Sequence, residues 1–258
     1  MINFFNNLEQ RNEPLFWFGL FCLLSVPPMI TAAIRRPIQL RGTNAWYKPI
    51  KFSISIGLFC WTMGWLTYDL NLPGQVALYS WATVVLLGFE LIYITLQAAR
   101  GQLSHYNQSS PGYAALYAGM ALAATVVTLY TGYIGLLFCS GGFTQLPDYY
   151  LWSIRIGIFL FVIFAMEGAV MGSRLSHTIG GTDGEKGLPF LNWSRKYGDP
   201  RIAHFIGMHA LQILPLLAFY VLKNVIATLL FGAAYAFLAV MVLVQALQGK
   251  PLFKSTAP

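Results

Sequence analysis

The sequence predicts an all-α, polytopic membrane helix bundle of seven transmembrane helices with the N-terminus outside and the C-terminus inside (N-out/C-in). Three observations predict it. Hydrophobic residues make up 57% of the 258 residues and charged residues only 10%, far below the roughly 25% charge of an ordinary soluble domain. Largely apolar windows recur along the chain, each long enough to cross a hydrocarbon core of about 30 Å. The basic residues fall almost entirely on one side of those windows.

The predicted spans cover 15–34, 50–68, 75–98, 113–138, 150–173, 202–222 and 225–247. The residues before the first, MINFFNNLEQRNEP, lack the basic and apolar regions of a cleaved signal, so the first span is expected to remain as an anchor. Pro27 and Pro28 should kink that span, and Pro215 should loosen the sixth. Gly168 and Gly172 give the fifth a small-xxx-small face suited to close packing. Only Lys223 and Asn224 separate spans six and seven, leaving room for a tight turn or marking a single re-entrant element. The longest connection, about 174–201, is shorter than an independently folding unit, so residues 1–258 read as one transmembrane domain.

With the N-terminus outside, the inner loops and tail carry Arg35, Arg36, Arg41, Lys48, Lys51, Arg100, Arg174, Lys186, Arg195, Lys196, Arg201, Lys250 and Lys254. Only Arg11, Arg155 and Lys223 fall toward the outside, a bias that sets orientation. Arg155, early in its span, is expected to snorkel to the outer interface. The net charge of +7 is then explained by anionic lipid headgroups, with no role for nucleic acid. Trp17, Trp65 and Trp152 near outer span ends, and Trp46 and Trp193 near inner ones, read as an interfacial belt. Cys22, Cys60 and Cys139 have no CxxC spacing, which argues against a disulfide framework or zinc ribbon and for small buried hydrophobes.

The chemistry-bearing residues are few. Glu90 and Glu167 interrupt otherwise apolar spans, where a carboxylate costs roughly 2.5 to 3.5 kcal/mol unless it has a partner, a cavity or a task. Counting the helix rise from the inner ends places both roughly 10 Å below the boundary, with His209 level with them and Gln212 about a turn deeper. Glu90, Glu167 and His209 are therefore the proton or cation site candidates, with His105, His177, His204 and Gln212 around them. Two carboxylates in low dielectric do not both ionise cheaply, which suits a proton relay or a cation. Glutamate with imidazole also suits a divalent metal, and two histidines on facing helices suit haem. His204 and His209 are five residues apart, about 140° around the helix, unlike the i, i+4 pair of a zinc helix.

A repeat links two of these tracts. FELIYITLQAARGQLSHYN leads through Pro111 to ALYAGMALA, and AMEGAVMGSRLSHTIG leads through Pro200 to AHFIGMHALQ. The order Glu, LSH, Pro, GM-x-AL recurs with the same direction, which would make a duplication parallel rather than inverted. The loop TIGGTDGEKGLPFLNWSRKYGDPR has no GxxxxGK[ST] and follows no strand, so it is no nucleotide cradle. It is expected to lie across the inner mouth as a glycine-hinged cover, with Phe190 and Trp193 dipping into the headgroups.

The tracts LSHTIGG, GLPFLNWS and GDPRIAHFIGMHALQILP, together with NAWYKPIKFSIS, resemble an uncharacterised family of bacterial multi-spanning integral membrane proteins. That resemblance implies a multi-pass protein of the bacterial cytoplasmic (inner) membrane and transfers no activity or site residue. Retinal proteins require a lysine in the last span, and 225–247 has none. Three functions stay open from the sequence: a proton or cation site serving transport or sensing of a small solute, a membrane-embedded enzyme dependent on a metal or haem, and a non-catalytic assembly scaffold.

Overall fold

Ten α-helices and one two-residue-stranded hairpin form among the described residues, 2–185 and 187–253, of the computed structural model. The helices are α1 (Ile2–Arg11), α2 (Glu13–Leu24), α3 (Val26–Arg35), α4 (Tyr47–Thr67), α5 (Pro73–Ala99), α6 (Pro111–Ser140), α7 (Asp148–Met166), α8 (Gly168–Arg174), α9 (Arg201–Leu217) and α10 (Val225–Leu247). Seven helical segments are long and apolar enough to cross a membrane: Glu13–Arg35, Tyr47–Leu70, Pro73–Ala99, Pro111–Ser140, Asp148–Arg174, Arg201–Leu222 and Val225–Leu247. These match the predicted spans one for one. Lys186 and Lys254, two of the inward basic residues, lie outside the described residues.

Proline shapes the first and sixth spans as expected. Pro27 and Pro28 have no N–H for the carbonyls four residues back, so the helix stops at Ser25 and restarts as α3. At the break the Ser25 hydroxyl donates to the Cys22 carbonyl at 2.6 Å, and the Ser25 N–H reaches the Leu23 carbonyl. After Pro215 the sixth span ends in a π-helical turn, Ala218–Leu222, whose wider winding accommodates the missing bond. Spans six and seven are two separate helices. Lys223 takes a left-handed conformation at φ 47°, and the Asn224 side chain accepts from the Ala227 N–H at 3.0 Å to start α10.

The chain divides into two compact units, 1–130 and 131–258, with the boundary inside α6. In the first unit, α2 crosses α4 where Gly19 meets Gly57: a Cβ on either would stand 3.2 Å from the other's carbonyl oxygen. A polar knot lies at one end of this crossing. The buried Asn12 caps α2 by accepting from the Leu15 N–H at 3.2 Å, and its amide donates to Ser80 at 2.8 Å and Thr67 at 3.4 Å. Gln39–Leu40 (β1) and Thr43–Asn44 (β2) pair antiparallel around Arg41 and Gly42, both at positive φ, a turn whose twist matches the strands. Asn44 then ties the hairpin to α3 by donating to the Ala33 carbonyl at 2.9 Å.

In the second unit α7 packs along α9 through small residues. A Cβ on Gly157 would stand 3.1 Å from the Ala210 oxygen, and the Phe164 ring fills the space over Gly207. α10 completes the core with Ala239 and Val242 beside Leu160 and Leu214. Lipid tails are as apolar as leucine, so such close van der Waals contact, rather than apolar burial, holds spans together. Gly157 and Gly207 serve this purpose, while Gly168 lies at a helix break against His204.

Several side chains depart from the sequence expectation for specific reasons. Arg155 donates from Nε to the Phe138 carbonyl at 2.9 Å near the end of α6, where free carbonyls attract a cation, and its guanidinium lies 5.1 Å from the Trp152 ring centre. Cys22 and Cys60 are buried, but Cys139 is exposed. Trp17 and Trp152 are exposed as a belt requires, whereas Trp65 stacks on Phe4 and carries Arg11 at 4.2 Å over its ring.

Gly207→Ala is expected to destabilise the protein by about 1–3 kcal/mol, because the added methyl collides with a core phenylalanine that has nowhere to move. Gly74→Ala, where the methyl meets nothing within 4 Å, is expected to stay within about 0.5 kcal/mol of wild type. Denaturant unfolding in detergent, followed by circular dichroism, compares the two.

Candidate functional site

The fifth span breaks at its glutamate. α7 ends at Met166, Glu167 is a turn residue, and α8 restarts at Gly168. The Val170 N–H reaches the Glu167 carbonyl at 2.8 Å, a tighter i+3 bond that marks the altered winding. The Phe164 carbonyl, one turn back, accepts instead from His204 Nδ1 on α9 at 2.6 Å. A carbonyl can only accept, so Nδ1 carries a proton, and in the neutral ring Nε2 keeps its lone pair. His204 Nδ1 also stands 3.7 Å from Glu167 Oε2, with the carboxylate side chain 5% exposed and the imidazole 30%. Neither carboxylate oxygen of Glu167 has a hydrogen-bond partner among the described residues. A buried, unbonded carboxylate beside an imidazole is an unusual arrangement that calls for a chemical explanation.

His209 faces away from that pair into an aromatic contact. Its ring lies 4.3 Å from the Phe205 ring centre, and its Nδ1 is 3.2 Å from Gln212 Oε1. The angular separation read from the sequence is therefore realised as two environments: His204 on Glu167, His209 with Phe205 and Gln212. The imidazole that meets the carboxylate is the one placed in the surrounding set by depth counting. Depth ignores helix rotation, and the signal for His204 was the helix-breaking Glu-Gly pair, whose freed carbonyl needs a donor.

His177 serves a loop. The Asp183 carboxylate accepts from the His177 N–H at 2.9 Å, His177 Nδ1 at 3.0 Å, the Thr178 N–H at 3.0 Å, the Thr178 hydroxyl at 2.9 Å and the Ser176 hydroxyl at 3.0 Å. Burial pushes this carboxyl up, but the hydrogen bonds from His177 and Thr178 and the His177 charge outweigh it, leaving Asp183 well below the ordinary carboxylate range. The rest of the loop is pinned as well. Ile179 and Gly198 bridge, Arg201 bonds Asp199 and the Asn192 carbonyl, and Trp193 packs on Phe205 and stacks on Phe253. Trp193 thus packs on the core of its unit, while Phe190 is exposed.

The other glutamate has its own setting in the first unit. Thr83, Leu87, Glu90, Ile94 and Gln97 follow one another at helical spacing along the buried face of α5. Glu90 is 5% exposed, its Oε1 has no hydrogen-bond partner, and the charge of Lys48 on α4 acts on it. α5 is continuous through Glu90, so no backbone group is released there. Gln97 donates to the Tyr93 hydroxyl at 3.3 Å and to the Leu103 carbonyl at 3.2 Å. His105 sits among rings, 5.7 Å from Phe52 and 6.0 Å from Tyr117, with Ser104 Oγ at 3.3 Å. Among the described residues no group of three His, Cys, Asp or Glu side chains is placed to hold a metal ion, so the divalent-metal expectation finds no ligand set. In the second unit His204 and His209 share α9 and His177 lies in a loop, so no two of these histidines stand on facing helices.

Fold and site together define a multi-pass integral membrane protein, with apolar helices in contact with the bilayer. Comparison with family models, curated proteins and solved structures finds no match to this chain.

The Asp183 knot carries a pH prediction. A carboxyl held below its ordinary value contributes stability that is complete above about that value, 3.8, and is lost as pH falls further. Protection factors of the amides at 176–179, taken against unfolded-chain exchange at the same pH, should therefore be high at neutral pH and fall below about pH 4 in the wild type. Asp183→Asn should show low protection at both, reflecting about 1–3 kcal/mol of lost local stability. Equal protection in wild type and variant at pH 7 would rule the knot out as the loop's anchor.

Proposed function

We propose that this chain handles protons in the membrane, with Glu167 and His204 as the exchanging pair. It would sit N-out and C-in in a bacterial cytoplasmic membrane, as the thirteen-to-three basic bias and the family resemblance suggest. The observation that carries the reading is the Glu167 carboxylate, buried within a span with both oxygens unbonded and an imidazole at 3.7 Å. A structural carboxylate in a membrane interior is normally bonded to its neighbours. This one is left open to take a proton.

The donor set favours a proton over a metal cation. Calcium takes about 6–8 oxygen ligands and magnesium about six, whereas Glu167 supplies two oxygens and its neighbour is a nitrogen. A proton needs one acceptor. In the relay, His204 Nε2 accepts a proton, the ring becomes an imidazolium, and Nδ1 passes its own proton to Glu167 Oε2 after leaving the Phe164 carbonyl. The ring ends as the Nε2–H tautomer, the acid ends neutral, and the charge is conserved. Glu90, buried in α5 with Oε1 unbonded, is a second titrating group of the first unit on the same reading.

Infrared difference spectra of the protein in lipid, recorded between acid and neutral pH, test this directly. Wild type should show the carbonyl stretch of a buried protonated carboxyl that appears on acidification. Glu167→Gln should remove that band, and His204→Gln, which keeps a donor for the Phe164 carbonyl, should shift its midpoint while the helical circular dichroism is unchanged. Spectra of Glu167→Gln that retain every pH-dependent carboxyl band would end the proposal.

A further inference from the structure

A cavity of about 450 Å³ opens in the first unit beside the end of α3. Ala32, Ile38, Trp46 and Ala99 contribute a largely apolar wall, and Arg35 and Arg36 contribute charged donors. Both arginines are exposed, and no hydrogen bond or ion pair holds either guanidinium among the described residues. The indole N–H of Trp46 is buried and has no partner. That nitrogen is closed off from the cavity, so the polar groups that face a ligand there are the two guanidinium groups.

The wall that carries these donors is built firmly. Asn44 fixes the β1–β2 hairpin to α3 through the Ala33 carbonyl and accepts from the Trp46 N–H at 3.1 Å, which sets the start of α4. Gly101, at φ 65°, lets the chain leave α5 close under Ile38, where a Cβ would stand 3.2 Å from its methyl. The site lies at the end of the first span, Glu13–Arg35, and at the end of the third, Pro73–Ala99. That is the level where acyl chains give way to headgroups.

Its chemistry selects one ligand class. Guanidinium groups bind phosphate through paired, charge-assisted hydrogen bonds. The ends of α3 and α5 here are C-terminal, with partial negative charge, and α4 starts beside them at Trp46, so the full positive charges at the site are those of the two arginines. A free phosphate would leave the apolar wall uncovered, and a zwitterionic headgroup would bring its own cation against the arginines. We infer that this cavity binds an anionic phospholipid, its phosphate on Arg35 and Arg36 and its acyl chain along Ala32, Ile38, Trp46 and Ala99. This site stands independently of the Glu167–His204 reading.

Trp46 provides the readout. The full chain is reconstituted in vesicles whose phosphatidylglycerol or phosphatidylcholine carries brominated acyl chains, and the Trp46 contribution is the difference between wild type and Trp46→Phe. Two arginines beside an anionic headgroup should give about a 30-fold preference for phosphatidylglycerol in the concentration that half-quenches Trp46. Arg35→Gln with Arg36→Gln should abolish the preference. Arg35→Lys with Arg36→Lys, which keeps the charges that orient the span, should retain only part of it. Equal quenching by the two lipids in wild type would overturn the assignment. So would a Trp46 emission change on adding inorganic phosphate to the detergent-solubilised protein, coupled with no lipid preference, which would assign the cavity to free phosphate.

Discussion

The hydrogen bond from His204 to the Phe164 carbonyl is the contact on which the second unit depends. A helix in lipid must satisfy every backbone polar group within the protein, because no water is present to do so. α7 nevertheless breaks at Glu167. The 2.6 Å bond from His204 Nδ1 supplies the carbonyl at that break with a donor from a different helix. One contact therefore fixes three things: the break is tolerated, the register of α9 against α7 is set, and the imidazole tautomer is chosen. Gly207 beneath Phe164 and Gly157 beneath Ala210 bring the two backbones close enough for a side chain as short as histidine to reach across.

The first unit treats its polar groups differently. Asn12, Thr67 and Ser80 bond one another, and Ser25 joins Ser53 at 3.1 Å, so most buried polar side chains there act as interhelical glue. Against that background the unbonded Glu90 Oε1 and Trp46 Nε1 are exceptions rather than one case among many. On the proton-handling proposal, Glu90 is one of the groups that a proton would complete. Saturated polar contacts hold the spans of this unit together.

The spans were fully legible in the sequence because length and apolarity decide them and little else competes. Pro27, Pro28 and Pro215 were legible for the same reason, as proline removes a donor wherever it stands. Side-chain partners were not. Arg155 was read as an interfacial residue, but its partner, the Phe138 carbonyl, was not legible because it is set by where α6 ends in space. Asp183 attracted no attention as a lone acid in a glycine-rich loop, yet it gathers His177, Thr178 and Ser176. For the site, Glu167 was legible as a costly charge, while its pairing with His204 depends on helix rotation, which a depth count cannot supply. The hairpin at 39–44 was missed because each strand has two residues, too short for alternation to register.

The two glutamate tracts differ most where their sequences look alike. In each, the glycine of the GM pair faces a phenylalanine on the glutamate-bearing helix: Gly119 with Phe89 at 3.7 Å, Gly207 with Phe164 in a much closer fit. Phe89 immediately precedes Glu90, whereas Phe164 lies three residues before Glu167. The same knob in the same kind of hole thus leaves the acid at a different angle in each copy. Glu90 stays in a continuous helix with its backbone bonded, and its side chain answers to Lys48. Glu167 occupies a joint whose backbone is completed by a titratable ring. In the proposed relay, a proton taken up at Nε2 leaves the Nδ1 bond to the Phe164 carbonyl in place and its passage on to Glu167 breaks it, so proton transfer and helix geometry would be coupled at Glu167, with no equivalent link at Glu90.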